Sequence, residues 1–357
     1  MKKLLKILGI LLLAVLVLAA GLFGVLTLTE YKPADVETVA VTAGSAPGEA
    51  LRAGDTLRVV TWNVGYGALG DNADFFMDGG KSVRTADLAR VQANMGTMTG
   101  ALQGMNPDLI FLQEVDVASD RSHRVDESAL FRAAFPGMNS AFAANYRALY
   151  VPYPVPPIGH VDGGIQTLAR PAIADAARIQ LPCPFSWPLR LGNLKRCLLV
   201  TRIPVEGTGK ELVAVNLHLE AYDDGEGKIA QTAQLASFLQ AEAEKGNYVL
   251  AGGDFNQIFS GADDGAYAVR EGLWTPGVIA EEDFGNRFSL LMDTRVPTCR
   301  SLDQPLAGAD KASFQFYMID GFIVSDNLTV KTLETQNLGF TATDHNPVLL
   351  EVTLGEA

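Results

Sequence analysis

Short apolar runs in this chain stop, one after another, at an amide, a carboxylate or an imidazole, and that pattern limits the folds open to it. Asn63 closes VVTWN and Glu114 closes IFLQE. In LVAVNLHLE, Asn216 and His218 lie two residues apart and so on one face of a strand. Asp254 and Asn256 follow VLAGG with the same spacing, and Asp344 and His345 stand before NPVLLEV. Asp320 interrupts FYMIDGFIVS, where a carboxylate among Phe316, Ile319, Phe322 and Ile323 is costly to bury without a partner. Runs of this length bounded by turn formers read as strands. Asp, Asn and Pro favour turns, which explains any one of these residues. Their recurrence at successive run ends calls for strands whose ends gather at one place.

Strand candidates occur at Leu57 to Val64, Leu109 to Val115, Gly164 to Ala169, Arg196 to Arg202, Leu212 to Leu219, Tyr248 to Ala251, Phe316 to Val324 and Val348 to Leu354. Between the first two, Leu88, Val91, Met95, Met98, Leu102 and Met105 recur every three or four residues. That spacing predicts a helix over residues 82–105 with one apolar face, ended before Pro107. A second helix is expected from about Lys228 to Glu244. Some strands follow one another directly and others are separated by helices. The mixture predicts two packed, mixed sheets with helices outside, not one parallel doubly wound sheet. The segment from Gly65 to Gly70 has the G-x-G-x-x-G spacing, but DNADFFMDGG follows it with no helical period, so it is no dinucleotide fingerprint.

Three segments are expected: residues 1–29 as a membrane anchor or signal, 30–55 as a flexible tether, and 56–357 as one catalytic domain. Lys2, Lys3 and Lys6 precede Ile7 to Leu28, which carries no charge and is long enough to cross a bilayer. A cleaved signal peptide is the competing reading, with Ala19-Ala20-Gly21 as a loose cleavage site. The lysines before the span place the rest of the chain on the extracytoplasmic side of the plasma membrane as a single-pass protein, or outside as a secreted one after cleavage. The tether is rich in Ala, Thr, Gly and Pro. Net charge is −13 and no basic run follows Lys6, which argues against a sequence-indifferent coat on nucleic acid. Cys183, Cys197 and Cys299 show no metal spacing; one bridge outside the cell and buried free thiols both fit.

Carboxylate and amide oxygens without a cysteine cluster suit a hard divalent cation, Mg²⁺ or Mn²⁺. Glu114 with Asn63 would supply part of its shell. Two histidines with separate neighbours suit charge stabilisation and proton handling at phosphorus, and Asp254 is placed to orient or deprotonate a water.

In this order, TWN (61–63), LQEV (112–115), NLHL (216–219), GGDFN (252–256), Ile319-Asp320 and TDHNPV (343–348) resemble the endonuclease/exonuclease/phosphatase superfamily. That superfamily includes pancreatic-type deoxyribonuclease, apurinic endonucleases, inositol-polyphosphate phosphatases and magnesium-dependent neutral sphingomyelinases. The resemblance covers about residues 57–354 and implies a four-layered α/β sandwich with the site at one end of the paired sheets. It implies Glu114 as metal ligand with Asn63 and Asp344 beside it, and Asp254 as the group positioning the attacking water. Asn216, Asn256 and His218 are expected at the substrate phosphate, and His345 as the second catalytic histidine with Asp320 orienting it. Whether Asp254 or His345 is the base stays open. The implied activity is metal-dependent phosphodiester hydrolysis at the membrane face, on a phospholipid headgroup as in sphingomyelinases or, alternatively, on DNA or RNA. No obligate protein partner is implied. The segment from Asn145 to Gly164, with Tyr146, Tyr150, Tyr153 and several prolines, reads either as a rigid surface loop or as one that touches substrate or membrane.

Overall fold

The computed structural model describes residues 1–46, 48–263, 265, 267 and 269–356. Four helices are long enough to label: α1 (Lys2–Leu28), α2 (Leu88–Met105), α3 (Glu127–Ala134) and α4 (Glu226–Glu244). The first strands are β1 (Val36–Thr38), β2 (Val41–Thr42), β3 (Leu51–Arg52), β4 (Thr56–Asn63) and β5 (Leu109–Asp116). Next come β6 (Asn139–Val151), β7 (Gly159–Ala169), β8 (Asp175–Gln180), β9 (Cys197–Glu206), β10 (Lys210–His218) and β11 (Tyr248–Asp254). The remainder are β12 (Gln257–Phe259), β13 (Gly277–Ile279), β14 (Phe288–Leu291), β15 (Cys299–Arg300), β16 (Phe316–Tyr317), β17 (Asp320–Ser325), β18 (Leu328–Thr335) and β19 (Val348–Leu354). One sheet runs β1-β8-β9-β10-β11-β17-β14 with β3 beside β9, and the other β18-β19-β4-β5-β7-β6-β2.

Side-chain alternation turns these two sheets into four layers. Leu57 and Val59 of β4 and Leu109 and Phe111 of β5 face the other sheet, where they meet Leu212, Ala214, Leu250, Phe322 and Val324. The intervening residues Val60, Trp62, Ile110 and Leu112 face outward onto Met95, Met98, Leu102 and Phe131 of α2 and α3. Val213, Val215, Val249 and Ala251 likewise face Leu235, Leu239 and Ala243 of α4. The expected two-sheet α/β sandwich is therefore the fold, and the methionines of α2 are core.

Helix α2 begins at Leu88, the first residue of its apolar period, and not at the expected residue 82. The Asp87 side chain caps it by accepting from Arg90 N at 2.8 Å, and Asn106 ends it in the left-handed region before Pro107. The run from Phe316 to Val324 is two strands, with β16 paired to β15 and β17 starting at Asp320. Residues 145–164 are mostly the β6–β7 hairpin, leaving only a short loop at residues 152–158. Three stretches of the segment expected as a flexible tether are strands. β1 pairs with β8, β2 with β6 and β3 with β9, because short extended segments satisfy the open edges of both sheets. The three cysteines are free thiols.

Gly252 shows how tightly the sheets meet. A Cβ there would lie 2.5 Å from the Phe322 ring and 3.1 Å from Phe111, so two rings from opposite sheets fill the space a side chain would need. Each buried phenyl contributes about 1.5–3 kcal/mol relative to exposure. Gly252→Ala is therefore expected to lower stability by about 1–3 kcal/mol, read as a reduced denaturant midpoint with unchanged slope.

Candidate active site

Strand register brings three of the expected residues into one row. His218 of β10 pairs with Asp254 of β11, and Asp254 pairs with Asp320 of β17. All three continue the faces that bury Leu212, Leu250 and Phe322 between the sheets, so the inter-sheet layer turns from apolar to polar at this end. From the other sheet, Asn63 ends the inter-sheet face of β4, and His345 is fixed just before β19 by a bond from Trp62 Nε1 to its carbonyl at 3.0 Å.

Oδ2 of Asp254 is the common point. It accepts from Asn63 Nδ2 at 2.9 Å and lies 3.4 Å from His218 Nε2 and 3.8 Å from His345 Nε2. Its other oxygen accepts from the backbone N–H of Asn256 at 2.9 Å, and Asn256 Nδ2 donates to the Leu219 carbonyl at 2.9 Å. Asn256 thus braces Asp254 from a left-handed backbone position, φ 50°. Asp320 Oδ2 bonds Nδ1 of His345 at 2.8 Å, while the Thr298 hydroxyl accepts from the Asp320 backbone N–H at 3.2 Å. The buried acid inside the apolar run has its partner.

Glu114 reaches the site only through a distortion. Regular alternation puts it with Ile110 and Leu112 on the helix side of β5. A register shift between Leu112 and Val115, with Glu114 at φ 55°, turns it instead toward Asn63, whose Nδ2 bonds Glu114 Oε1 at 2.9 Å. The Asn63 side-chain oxygen accepts from Gly65 N at 3.0 Å. Asp344 comes alongside through Thr343, whose hydroxyl is 3.2 Å from both Asp344 Oδ1 and the Asn63 carbonyl.

The two imidazoles are driven to opposite charge states. Burial would lower His345, but the Asp320 carboxylate outweighs it and holds the ring well above the usual range. Burial lowers His218 well below that range, helped by the cations Arg196 and His345. Arg196 is itself buried, paired to Glu220 at 3.1 Å, with Nη1 on the His218 carbonyl. Burial and the neighbouring Asp320 push Asp254 up to about 7. Burial raises Glu114 as well, with Asp344 adding to it.

Asn216 is placed elsewhere. Its amide donates to the Leu112 and Gln166 carbonyls at 3.2 and 2.9 Å, and its oxygen accepts from Gln113 Nε2 at 2.8 Å. These bonds tie the two sheets together below His218 and leave no free donor for a phosphate.

Four neighbours were not expected at the site from the sequence. Arg121 is held by two 2.9 Å bonds to Asp116 and lies 3.8 Å over the Tyr66 ring, near Glu114. Tyr222 donates to Asp78 Oδ1 at 3.0 Å, and burial with the charges of Asp344 and Glu114 pushes Asp78 up to about 7. Cys299 groups with Asp344 and His345, but burial pushes its thiol to about 12, so no thiolate is offered. All come from segments far apart in sequence.

The donor set fits a hard cation. Glu114 and Asp344 offer carboxylate oxygens without an ammonium among them, while Asn63 turns its nitrogen to Glu114 and its oxygen to Gly65 N. Burial raises the carboxyls of Glu114 and Asp254, and the neighbouring acids Asp344 and Asp320 add to it. A second grouping, Asp254, Asp320 and His345, has ligand-type atoms within 4.8 Å of one another, but there Asp320 is spent on orienting the ring.

Residues 60–345, which include every residue of this cluster, match the profile of the Endonuclease/Exonuclease/phosphatase family. No curated protein is similar enough in sequence to match the chain. Among solved structures, an endonuclease/exonuclease/phosphatase from Beutenbergia cavernae DSM 12333 superposes with a TM-score of 0.54 at 17% identity, covering 85% of this chain and 72% of that one. The Bacteroides vulgatus endonuclease/exonuclease/phosphatase gives 0.52 at 16% identity, covering 84% and 99%. A family protein from Bacteroides thetaiotaomicron gives 0.52 at 15%, covering 85% and 99%. At these identities the likeness is one of fold.

The Asp320–His345 pair makes a pH prediction. Because the folded-state value of His345 is raised, its protonation stabilises the fold fully below the unfolded imidazole value, about 6.5, and that contribution is lost as pH rises through the folded value. Asp320→Asn removes the cause. NMR of the ring protons is expected to show His345 charged at neutral pH in the parent and titrating below neutrality in the variant; an unchanged titration would refute the pairing.

Proposed function

We propose that this chain, which belongs to the Endonuclease/Exonuclease/phosphatase family, is a divalent-metal-dependent phosphodiester hydrolase that attacks phosphorus with water. The family is one of hydrolytic phosphoesterases that generally depend on a divalent metal. The observation that carries the reading is Asp254: one carboxylate oxygen facing both imidazoles, in a site where those imidazoles carry different charge. An acid pushed up to about 7 is poised to take a proton near neutral pH, so Asp254 is the better candidate for the base that deprotonates the water. His345, held cationic by Asp320, is suited to oppose the charge that grows on the phosphoryl oxygens. Neutral His218 presents Nε2 to the same space, where it would contact the phosphate or the leaving oxygen.

Glu114 and Asp344 would hold the metal, Mg²⁺ or Mn²⁺, with Asn63 beside them as the companion of Glu114. When bound, it would supply charge to a phosphoryl oxygen and so offset the negative potential of the carboxylates. Asn256 keeps Asp254 in position, and Arg121 sets the charge behind Glu114.

For the substrate we favour a phospholipid headgroup, a sphingomyelinase-like activity, over DNA or RNA. Two features support this. α1 is long and apolar enough to cross a membrane, with a mean hydropathy of 2.8, and would hold the enzyme on the extracytoplasmic face. The net charge of −13 disfavours a polyanion. A panel of sphingomyelin, phosphatidylcholine, plasmid DNA, abasic DNA and phosphoinositides orders these substrates, and turnover of DNA alone would overturn the lipid assignment.

With Mg²⁺, hydrolysis of a generic phosphodiester should stop on addition of chelator. His345→Ala is expected to lower kcat by at least about a hundredfold with the fold intact by circular dichroism. Glu114→Gln is expected to raise the Mg²⁺ needed for half-maximal rate by at least about tenfold. Full activity in His345→Ala would sink the assignment.

A further inference from the structure

The end of α1 is not a free stalk but is fastened to the catalytic domain. Trp187 Nε1 donates to Thr27 Oγ1 at 3.1 Å, and its ring lies 6.0 Å from that of Phe23. Glu30, two residues past the helix, is buried against Arg190 at 3.1 Å and Lys195 at 3.5 Å. The Tyr31 hydroxyl donates to the Ala144 carbonyl at 3.4 Å, and Arg147 lies 5.5 Å over the Tyr31 ring. Thr29 and Tyr31 both line a surface cavity with Arg147, Leu149 and His160. Stepping back along the chain from Glu30 to Thr27 and Phe23, toward the membrane, passes from Lys195 to Trp187, a segment whose Leu194 packs with Val151 at the hairpin tip. The tip of the β6–β7 hairpin therefore lies on the bilayer side.

Depth follows from length. Ile7 to Leu28 spans about 33 Å as a helix, close to the roughly 30 Å hydrocarbon core, so Phe23 to Leu28 reach the outer interface. Trp187 touches α1 at that level, where tryptophan is favoured. The crest formed by the hairpin tip and the neighbouring segment exposes Leu149 (49%), Tyr150 (38%), Tyr153 (71%), Val155 (91%), Trp187 (52%) and Leu189 (64%). The two parts are joined, since the Tyr146 hydroxyl donates to the Gly192 carbonyl at 2.8 Å and Val151 packs with Ile158 and Leu194.

The crest shares its end of the sandwich with the site. Val115 and Asp116, beside Glu114, pair with Gly164 and Gly163, and the hairpin continues past that row to the Val151–Gly159 pair. Tyr153 meets Phe76 edge-on at 6.1 Å, two residues from Asp78, whose carboxyl feels Asp344 and Glu114.

We propose that the β6–β7 tip and the Trp187–Leu191 segment form a docking surface that inserts into the outer-leaflet interface beside α1, turning the catalytic end of the sandwich toward lipid headgroups. The proposal rests on α1 being retained as a span and on the lipid reading of the site. Its chemistry is that of an interfacial anchor: apolar and aromatic side chains, continuous with a transmembrane helix, at headgroup depth.

The test uses the full chain in phosphatidylcholine vesicles, with Cys183→Ser as background and Val155→Cys, Leu189→Cys or Thr208→Cys labelled with an environment-sensitive fluorophore. Thr208 lies in the turn joining β9 to β10, at the opposite end of the sheets. Labels at positions 155 and 189 are expected to shift to the blue and be quenched by spin-labelled lipid, while the label at 208 is not. In parallel, Val155→Asp with Leu189→Asp should lower turnover of vesicle-borne phospholipid by about tenfold and leave a water-soluble phosphodiester unaffected, which also reports folding. Water-like emission at positions 155 and 189 overturns the docking. A blue shift without lipid quenching, with crosslinks between copies, also overturns it and assigns the surface to self-association. Lipid quenching with equal loss on both substrates overturns the presenting role. Quenching in a protein that cleaves the soluble diester but no phospholipid supports the docking and sinks only the lipid substrate.

Discussion

A single carboxylate, Asp254, holds the two halves of the sandwich in the arrangement the site needs. Its Oδ2 accepts from Asn63 of one sheet and lies in register with His218 and Asp320 of the other, while His345 closes over it from the turn before β19. Placing an acid there, nearly excluded from water and beside a second acid, costs on the order of several kcal/mol. That cost falls on a site, not on the fold, because the rest of the same inter-sheet layer is apolar and closely packed. Deep in the layer Phe111 and Phe322 fill the space left by Gly252; at its end the same faces carry Asn63, His218, Asp254 and Asp320. Stability and reactivity are thus two ends of one layer.

The charge pattern follows from that geometry. The same degree of burial gives His218 and His345 opposite outcomes, since one faces Arg196 and the other faces Asp320. A neutral and a cationic imidazole on either side of an acid raised to about 7 form an acid–base set without any unusual side chain. Glu114 and Asp344 stand to one side and repel one another, with Arg121 offsetting part of that charge.

The attachment of α1 extends the same logic outward. Glu30, Tyr31 and Trp187 fix the helix against β6 and the 187–192 segment, so α1 is held to the domain by packing and not by a flexible linker. The small strands β1, β2 and β3 reinforce this by closing edges of both sheets. The segment read as a tether has little bulk, and its pairing depends on edges that no local pattern announces.

Much of the site was legible because strand alternation is local. Spacing by two put His218, Asp254 and Asp320 on faces whose partners were already apolar, and an acid inside FYMIDGFIVS required a partner. Those residues and the mixed two-sheet fold follow from the chain's own periodicity. Tertiary structure alone decided three things. Glu114 faces the site only through a left-handed bulge, which local alternation contradicts. Asn216, on the same face as His218, spends its hydrogen bonds on the other sheet, a matter of which groups happen to lie opposite. Arg121, Asp78 and Tyr222 arrive from segments whose paths depend on the packing of everything else. Sequence determines what a strand face carries; only the assembled sheets determine what that face meets.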